Sequence, residues 1–429
     1  MDQTQIASVG IELLNTNLPV LHLLVVGVKW PPETFIQRKL ESLAARGIQV
    51  TMVVLAPRTR LTGGLDSVRV LRLSHPEDPS ALQVAQFAKD LIALLFTNPD
   101  RLGKIVAAAR AGSFSSLKAA FGCIRAYTPL AALRPDIVHF EWNSAAIDYL
   151  PMFDIWDCPV VVSCRGSQIN VRPHVPGNDK FIKGLSNTFR RVAAVHCVSE
   201  KILQEAQEYG LNPAFGKIIY PAVDPERFRP SDAPRTSDDT FRIVTTGSLA
   251  WVKGYEYALQ AIRSLVDNGI AVHFDVVGDG VEFQRVLYTI HDLELEKRVK
   301  LHGRLAPDEV IRLLQRADAF LLSSVSEGLS NAVLEAMACG LPIVTSDCGG
   351  MNEAVTDGIE GFLTPVRDPR AMADALGKLA SNSELRRKMG SSSRTRILQE
   401  FSLDGQIEQW LRLYHAVLEG ALQKGPQAK

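Results

Sequence analysis

The sequence predicts an α/β protein of two doubly wound domains in series. Three observations carry that reading. The chain has 429 residues, beyond the size at which a single hydrophobic core stops growing. Continuous Val/Ile/Leu runs alternate with helically spaced segments, the habit of parallel strands covered by helices on both faces. One stretch, PAVDPERFRPSDAPRTSDDT at 221–240, interrupts that rhythm with four prolines and reads as an interdomain linker.

Taken in order, VLHLLVVGV (20–28) is a buried strand, FIQRKLESLAARG (35–47) has helical spacing and stops at Gly47, and IQVTMVVLAP (48–57) is a second strand. DIVHFEW (136–142), PVVVSCRG (159–166) and AAVHCVS (193–199) continue the pattern. Beyond the linker, FRIVTTGS (241–248), AVHFDVVGDG (271–280), RVKLHG (298–303), AFLLSS (319–324) and LPIVTSD (341–347) read as strands with helices between them. Two such domains leave a cleft, and ligands in these sheets bind beyond the carboxyl ends of the strands. Residues 80–133 differ. They are helical and dotted with Lys89, Arg101, Lys104, Arg110, Lys118 and Arg125, which reads either as a helical insertion with solvated cations or as a basic amphipathic surface resting on an anionic membrane.

Formal net charge is zero, so overall charge gives no sign of nucleic-acid binding. Six scattered cysteines without a CxxC pair fit reduced packing thiols rather than a disulfide framework or zinc site. No basic-then-apolar leader opens the sequence and no run of about 18 apolar residues occurs. A cytoplasmic location is expected. Trp251 and Trp410 read as packing residues.

The chemistry concentrates at 326–344, SEGLSNAVLEAMACGLPIV, with acids at Glu327 and Glu335. The preceding AFLLSS strand runs into a turn at Gly328. Ser330 or Asn331 can cap the helix that follows, and Gly340 closes it. A helix start at the carboxyl end of a strand offers free N–H groups and partial positive charge, which suits phosphate. Glu335 leans back toward that end and is placed to accept from neutral hydroxyls such as a ribose diol. Glu327, ahead of the cap, faces the remainder of the ligand. The parts describe a nucleotide-diphosphate sugar: ribose at Glu335, phosphates at the helix start, sugar near Glu327.

This stretch resembles the E-x7-E element of retaining glycosyltransferases of family 4, which have the GT-B fold. TGSLAWVKGYEYALQAI (246–262) is similar to that family's G-R-L-x-x-x-K-G segment, VVGDG (276–280) to its V-G-x-G turn, and SDCGGMNEAVTDGIEGFL (346–363) to its S-x-x-G-G-x-x-E segment. The four motifs occur in the family's order. KWPPETFIQRKLESLAARGIQV (29–50) more loosely resembles the opening of exopolysaccharide glycosyltransferases of the colanic acid type.

The resemblance implies two Rossmann-like domains facing a cleft. Residues 1–222 would bind acceptor and carry the insertion at about 80–133. Residues 223–399 would bind the nucleotide sugar, and 400–429 would return as a helix to the first domain. It implies sugar transfer to an acceptor hydroxyl with retention at the anomeric carbon, Glu327 at the donor sugar and Lys253 on the diphosphate. Gly247, Ser248, Gly278, Gly328, Leu329, Ser330, Asn331, Glu335 and Glu353 would line the nucleotide sugar. Gly280 is a turn glycine beside Asp279. Ser248 departs from the family, which has a phosphate-clamping arginine there. Arg165 is the candidate substitute, with a structural salt bridge as the alternative. Glu33, His139 and His174 fall on the acceptor side.

No Asp-x-Asp stands where a metal would be expected, so no obligatory metal is anticipated. The donor reads as a UDP- or GDP-sugar. The acceptor reads as a saccharide or lipid-linked saccharide, with possible peripheral membrane contact, or as a soluble natural product or glycoside. A non-hydrolysing sugar-nucleotide epimerase and a catalytically silent nucleotide-sugar binding protein are the readings from other classes.

Overall fold

A computed structural model describes residues 20–57, 64–75, 77–111, 117–231 and 239–423. Both ends of the sequence and part of the proline-rich linker lie outside them. Thirteen strands are present among the described residues: β1 His22–Val28, β2 Gln49–Leu55, β3 Arg69–Leu73, β4 Ile137–Phe140, β5 Val160–Cys164, β6 Ala194–Cys197, β7 Gly216–Ile218, β8 Phe241–Thr246, β9 Val272–Val277, β10 Val299–Gly303, β11 Ala319–Leu322, β12 Ile343–Ser346 and β13 Gly361–Thr364. They form a seven-stranded sheet in the order β3-β2-β1-β4-β5-β6-β7 and a six-stranded sheet in the order β10-β9-β8-β11-β12-β13. The paired strands run parallel. The continuous apolar runs are buried as such sheets require: Leu23, Leu24 and Val25 in β1, and Phe320 and Leu321 in β11, have no exposed surface. β3, β7 and β13 are additions to the sequence expectation; the first two are short, half-exposed strands at the margins of their sheet.

Contacts group the described residues into two compact units. One comprises residues up to His139 with Pro151–Cys158; the other comprises Phe140–Leu150 with everything from Pro159 onward. The division therefore falls inside the first sheet rather than at the linker. The reason lies in contacts tying β5 and β6 to the second sheet and to the last helix, described below.

In the first unit, helices Ser80–Thr97, Pro99–Ala111 and Leu117–Ala131 form the insertion. Its cations are largely used internally. Arg101 donates to the carbonyls of Ala131 (3.1 Å), Leu133 (2.6 Å) and Trp156 (2.8 Å). Lys104 Nζ reaches Asp154 O at 3.1 Å, and Arg125 bonds the Gln83 side chain. Of the two readings the sequence allows, these contacts favour a helical insertion: Arg101 and Lys104 meet carbonyls at or near helix ends, which lack intrahelical partners. Arg110 and Lys118 have side chains outside the described set. Ser80–Thr97 exposes Lys89 together with apolar side chains, Leu82, Val84, Ile92, Leu95 and Phe96 all being open to solvent. No helix among the described residues is long and apolar enough to cross a membrane.

In the second unit, helix Leu403–Gln423 follows Phe401, whose carbonyl accepts from Val223 N–H at 3.0 Å. Trp410 is 1% exposed and meets the ring of His196, on β6, edge-on at 4.5 Å between centroids. Tyr414 lies beside it. Trp410 is therefore a packing residue, as the sequence suggests. Trp251 is not: it stands half exposed on the short turn Trp251–Lys253. The described side chains of Cys164, Cys197, Cys339 and Cys348 are buried and unbridged.

Candidate donor site

The carboxyl ends of β8, β9, β11 and β12 are lined by glycines because backbone meets backbone there. A Cβ on Gly278 would lie 1.7 Å from Gly247 O, far inside any tolerable contact. Gly247 and Gly278 also have positive φ, so Gly278 needs glycine for conformation as well as for space, and Gly247 for conformation. Tyr255 OH donates to Gly247 O at 3.3 Å. Its hydroxyl is pushed well above the usual range by burial and then by the charge of Glu327.

Lys253 projects from the turn after β8 and meets Glu327, on the loop after β11, with Nζ to Oε1 at 2.5 Å. The same oxygen accepts from Ser324 Oγ at 2.7 Å, and Ser323 Oγ donates to Lys253 O at 2.9 Å. Both charged side chains are less than one-fifth exposed. The pair is thus a half-sheltered, braced ion pair of the kind worth more than a surface bridge. Nearby, the Cys348 thiol is pushed up to about 12 by burial, with Glu327 adding to the rise.

Helix Asn331–Ala338 begins three residues beyond Gly328. Ser330 is its N-cap residue but no side chain caps the helix, which corrects the expected Ser330 or Asn331 cap. The first-turn N–H groups consequently gain no acceptor from the Ser330 side chain, and an end of this kind favours negative charge. Leu329 and Ser330 are buried, and Asn331 and Glu335 are partly exposed. Four residues on, Cys339 is pushed up to about 12 by burial and then by the Glu335 charge. Ser248 lies exposed in the loop after Gly247.

Several sequence-predicted residues have other duties. Arg165 makes a salt bridge with Glu141, which has no exposed surface, and its Nε donates to Glu141 O at 3.2 Å. This is the structural alternative that the sequence leaves open. Tyr414 is pushed well up by burial and then by Glu141, so the last helix is in electrostatic reach of this pair. Glu353 accepts from the N–H groups of Glu200 (2.8 Å) and Lys201 (3.1 Å), the first turn of helix Glu200–Glu208. A carboxylate there serves as a second cap beside Ser199. Burial, followed by the charge of Glu353 and a hydrogen bond to it, pushes the Tyr220 hydroxyl up to about 12.

His139, expected on the acceptor side, belongs to β4 and has no exposed surface. His174 is exposed on the turn Arg172–His174. Glu33 precedes helix Thr34–Ala45 without capping it, and its Oε2 is buried without a partner. Glu33 and His139 belong to the first unit and the Lys253–Glu327 pair to the second.

Two family models match adjoining stretches of the chain: "Glycosyltransferase Family 4" over residues 104–227 and "Glycosyl transferases group 1" over 228–396. The chain belongs to glycosyltransferase family 4. Among curated relatives, this glycosyltransferase is 27% identical to N-acetyl-alpha-D-glucosaminyl L-malate synthase of Bacillus anthracis over 66% of its own length and 74% of that protein. It is 36% identical to the putative colanic acid biosynthesis glycosyltransferase WcaL of Escherichia coli over 38% of its own length and 41% of that one. Its fold matches Anabaena Alr3699/HepE in complex with UDP and glucose, with a TM-score of 0.70 at 18% identity, covering 92% of this chain and all of that one. It also matches sucrose-phosphate synthase from Thermosynechococcus elongatus, with a TM-score of 0.72 at 16% identity and coverage of 93% and 100%. The glycosyltransferase therefore has the GT-B fold. Among its described residues no group of three or more His, Cys, Asp or Glu side chains is arranged to hold a metal.

One residue at this site carries no signal in the sequence. Asn170 Nδ2 donates to the main-chain oxygen of Glu327 at 3.0 Å across 157 positions of chain. Only a family-specific motif covering 164–170 could have pointed to it.

Proposed function

We propose that this glycosyltransferase moves a sugar from a UDP- or GDP-sugar to an acceptor hydroxyl with retention of anomeric configuration. The observation that carries the proposal is the convergence of Lys253 and Glu327 beside the uncapped start of helix Asn331–Ala338. In this reading the helix start and Lys253 hold the diphosphate, Glu335 takes the ribose hydroxyls and Glu327 meets the donor sugar. Gly247, Gly278, Gly328, Leu329, Ser330 and Asn331 shape the surrounding backbone. Ser248 supplies a hydrogen bond but no charge, leaving Lys253 as the main cation on the leaving group.

The anomeric carbon–oxygen bond to the diphosphate breaks while the acceptor oxygen forms its bond on the same face. The acceptor proton passes to the departing diphosphate, and the nucleoside diphosphate leaves. Lys253 and the helix dipole offset the charge that develops on it. Same-face attack is favoured over an enzyme nucleophile because Glu327 Oε1 already accepts from Lys253 and Ser324, which lowers its reactivity. The test is an NMR time course of the first-formed anomer released from UDP-glucose and GDP-mannose. Retained configuration supports the reading; inverted product overturns it.

The acceptor in this reading is a saccharide of polysaccharide or glycolipid assembly, and the WcaL likeness supports that class. The exposed apolar face of Ser80–Thr97 favours a lipid-linked acceptor, since an apolar helix face can lie in the headgroup boundary. Liposome flotation of the wild type and of Phe96→Asp checks it: binding lost in the variant supports the contact, and equal flotation of both, or of neither, removes it.

A further inference from the structure

The Glu327–Gly328 segment is gripped from two sides. On one, Gly350 N–H donates to Gly328 O at 2.7 Å, and Gly349 packs so closely that a Cβ there would lie 2.0 Å from Glu327 O. On the other, Asn170 Nδ2 reaches Glu327 O at 3.0 Å. A main-chain carbonyl can only accept, so the amide nitrogen must face it and the orientation of the Asn170 side chain is fixed.

Asn170 comes from a braced turn. Residues Ser167–Asn170 form one helical turn after β5, with the N–H groups of Ile169 and Asn170 donating to Gly166 O at 2.7 and 3.2 Å. Asn143 Nδ2 holds Gln168 O at 3.2 Å, and the Gln168 side chain accepts from Ser144 Oγ at 2.7 Å. The other end of the Asn170 amide, Oδ1, is buried without a hydrogen-bond partner. A buried unpaired oxygen is costly, and packing alone would be served better by an apolar side chain. What asparagine supplies here is the N–H to Glu327.

We propose that Asn170 is a positioning residue for the reaction: it fixes the main-chain carbonyl of Glu327 and thereby aims the carboxylate at the donor sugar. The proposal rests on the reading of Glu327 as a donor-site residue. The restraints on the carboxylate itself, Lys253 and Ser324, come from the second sheet and its loops. Asn170 adds a restraint from the end of β5 and acts on the backbone one residue before Gly328. A misplacement of about 1 Å at a reacting group can lower a rate about 100-fold, so a single well-directed bond at this carbonyl has leverage on turnover while hardly touching donor affinity.

The test compares the full-length wild type with Asn170→Asp, which keeps the shape but loses the N–H, with Asn170→Ala, and with Glu327→Gln. UDP-glucose and GDP-mannose are the donors, and release of nucleoside diphosphate is read. Asn170→Asp is expected to lower kcat about 30- to 100-fold with donor KM within about threefold of wild type. Wild-type kcat, or a raised KM with kcat unchanged, overturns the proposal. Wild-type turnover in Glu327→Gln sinks the donor-site reading instead, so the two failures are distinguishable. Amide exchange needs no donor and provides a second, independent readout. Exchange at Gly350, whose N–H donates to Gly328 O, should be about tenfold faster in Asn170→Ala with the strands unchanged; unaltered exchange there overturns the proposal.

Discussion

Gly328→Ala probes how closely the loop that carries Glu327 must approach its neighbours. An added Cβ would lie 1.8 Å from Arg165 O, 2.9 Å from Arg165 C and 2.9 Å from Val198 Cγ2. Ordinary contact begins at 3.4 Å, so the Arg165 carbonyl or the loop must retreat by about 1.5 Å. Gly328 is outside the positive-φ set, so the effect is steric rather than conformational. Neither side can yield as a flexible side chain would. Arg165 is tied to Glu141, and the loop to Gly350 and Asn170. Overpacking of this kind costs about 1–3 kcal/mol, within the stability of an ordinary domain, so the variant should fold. A shift of more than about 1 Å at Glu327 should lower turnover at least 100-fold. Gly420→Ala is the control, because a Cβ there meets nothing within 4 Å; in a helix interior it should stabilise slightly, by about 0.5–1 kcal/mol. The assay is nucleoside-diphosphate release alongside thermal melting. A folded Gly328→Ala chain with wild-type kcat would refute the claim that the contact positions the site.

Two further outcomes follow from packing and charge. Trp410→Ala should destabilise by about 3–5 kcal/mol in chemical denaturation, since its ring is buried between His196 and Tyr414; a loss below about 1 kcal/mol would mean the last helix is not anchored there. Burial pushes the Asp275 carboxyl up, but the hydrogen bonds and charges of His273 and His302 together outweigh it and hold the group below its ordinary 3.8. A depressed carboxyl contributes stability above its unfolded value and loses it as pH falls through the folded one. Asp275→Asn should therefore lower Tm at pH 6, and the gap from wild type should shrink below pH 3.8. A gap that is constant with pH, or widens in acid, would contradict the assignment.

The fold is legible because the central strands of both sheets are buried, so β1, β5 and β11 appear as largely apolar runs. β3 and β7 lack that signature, being half exposed. The donor site is legible where chemistry is local in sequence: Glu327, Gly328 and the helix start are contiguous, and Lys253 precedes a glycine at the end of its turn. Partners from distant chain segments are not. Nothing in PVVVSCRG tells whether Arg165 serves a phosphate or Glu141, because the choice depends on a residue 24 positions away, just beyond β4. The cations of the insertion mislead for the same reason. Arg101 resembles a surface charge until its three carbonyl partners, 30 to 55 residues distant, are brought to it. Glu353 likewise finds its N–H donors 152 and 153 positions away.

The central claim is that Lys253, Glu335 and the start of helix Asn331–Ala338 form a nucleoside-diphosphate site. Calorimetric titration of the wild type, Lys253→Ala and Glu335→Ala with UDP and with GDP tests it most directly. The account predicts that one of the two nucleotides binds the wild type and that each substitution weakens it at least about tenfold, the loss of one charge-assisted contact, without unfolding the chain. Equal affinity in all three proteins, or no binding of either nucleotide to the wild type, would contradict it.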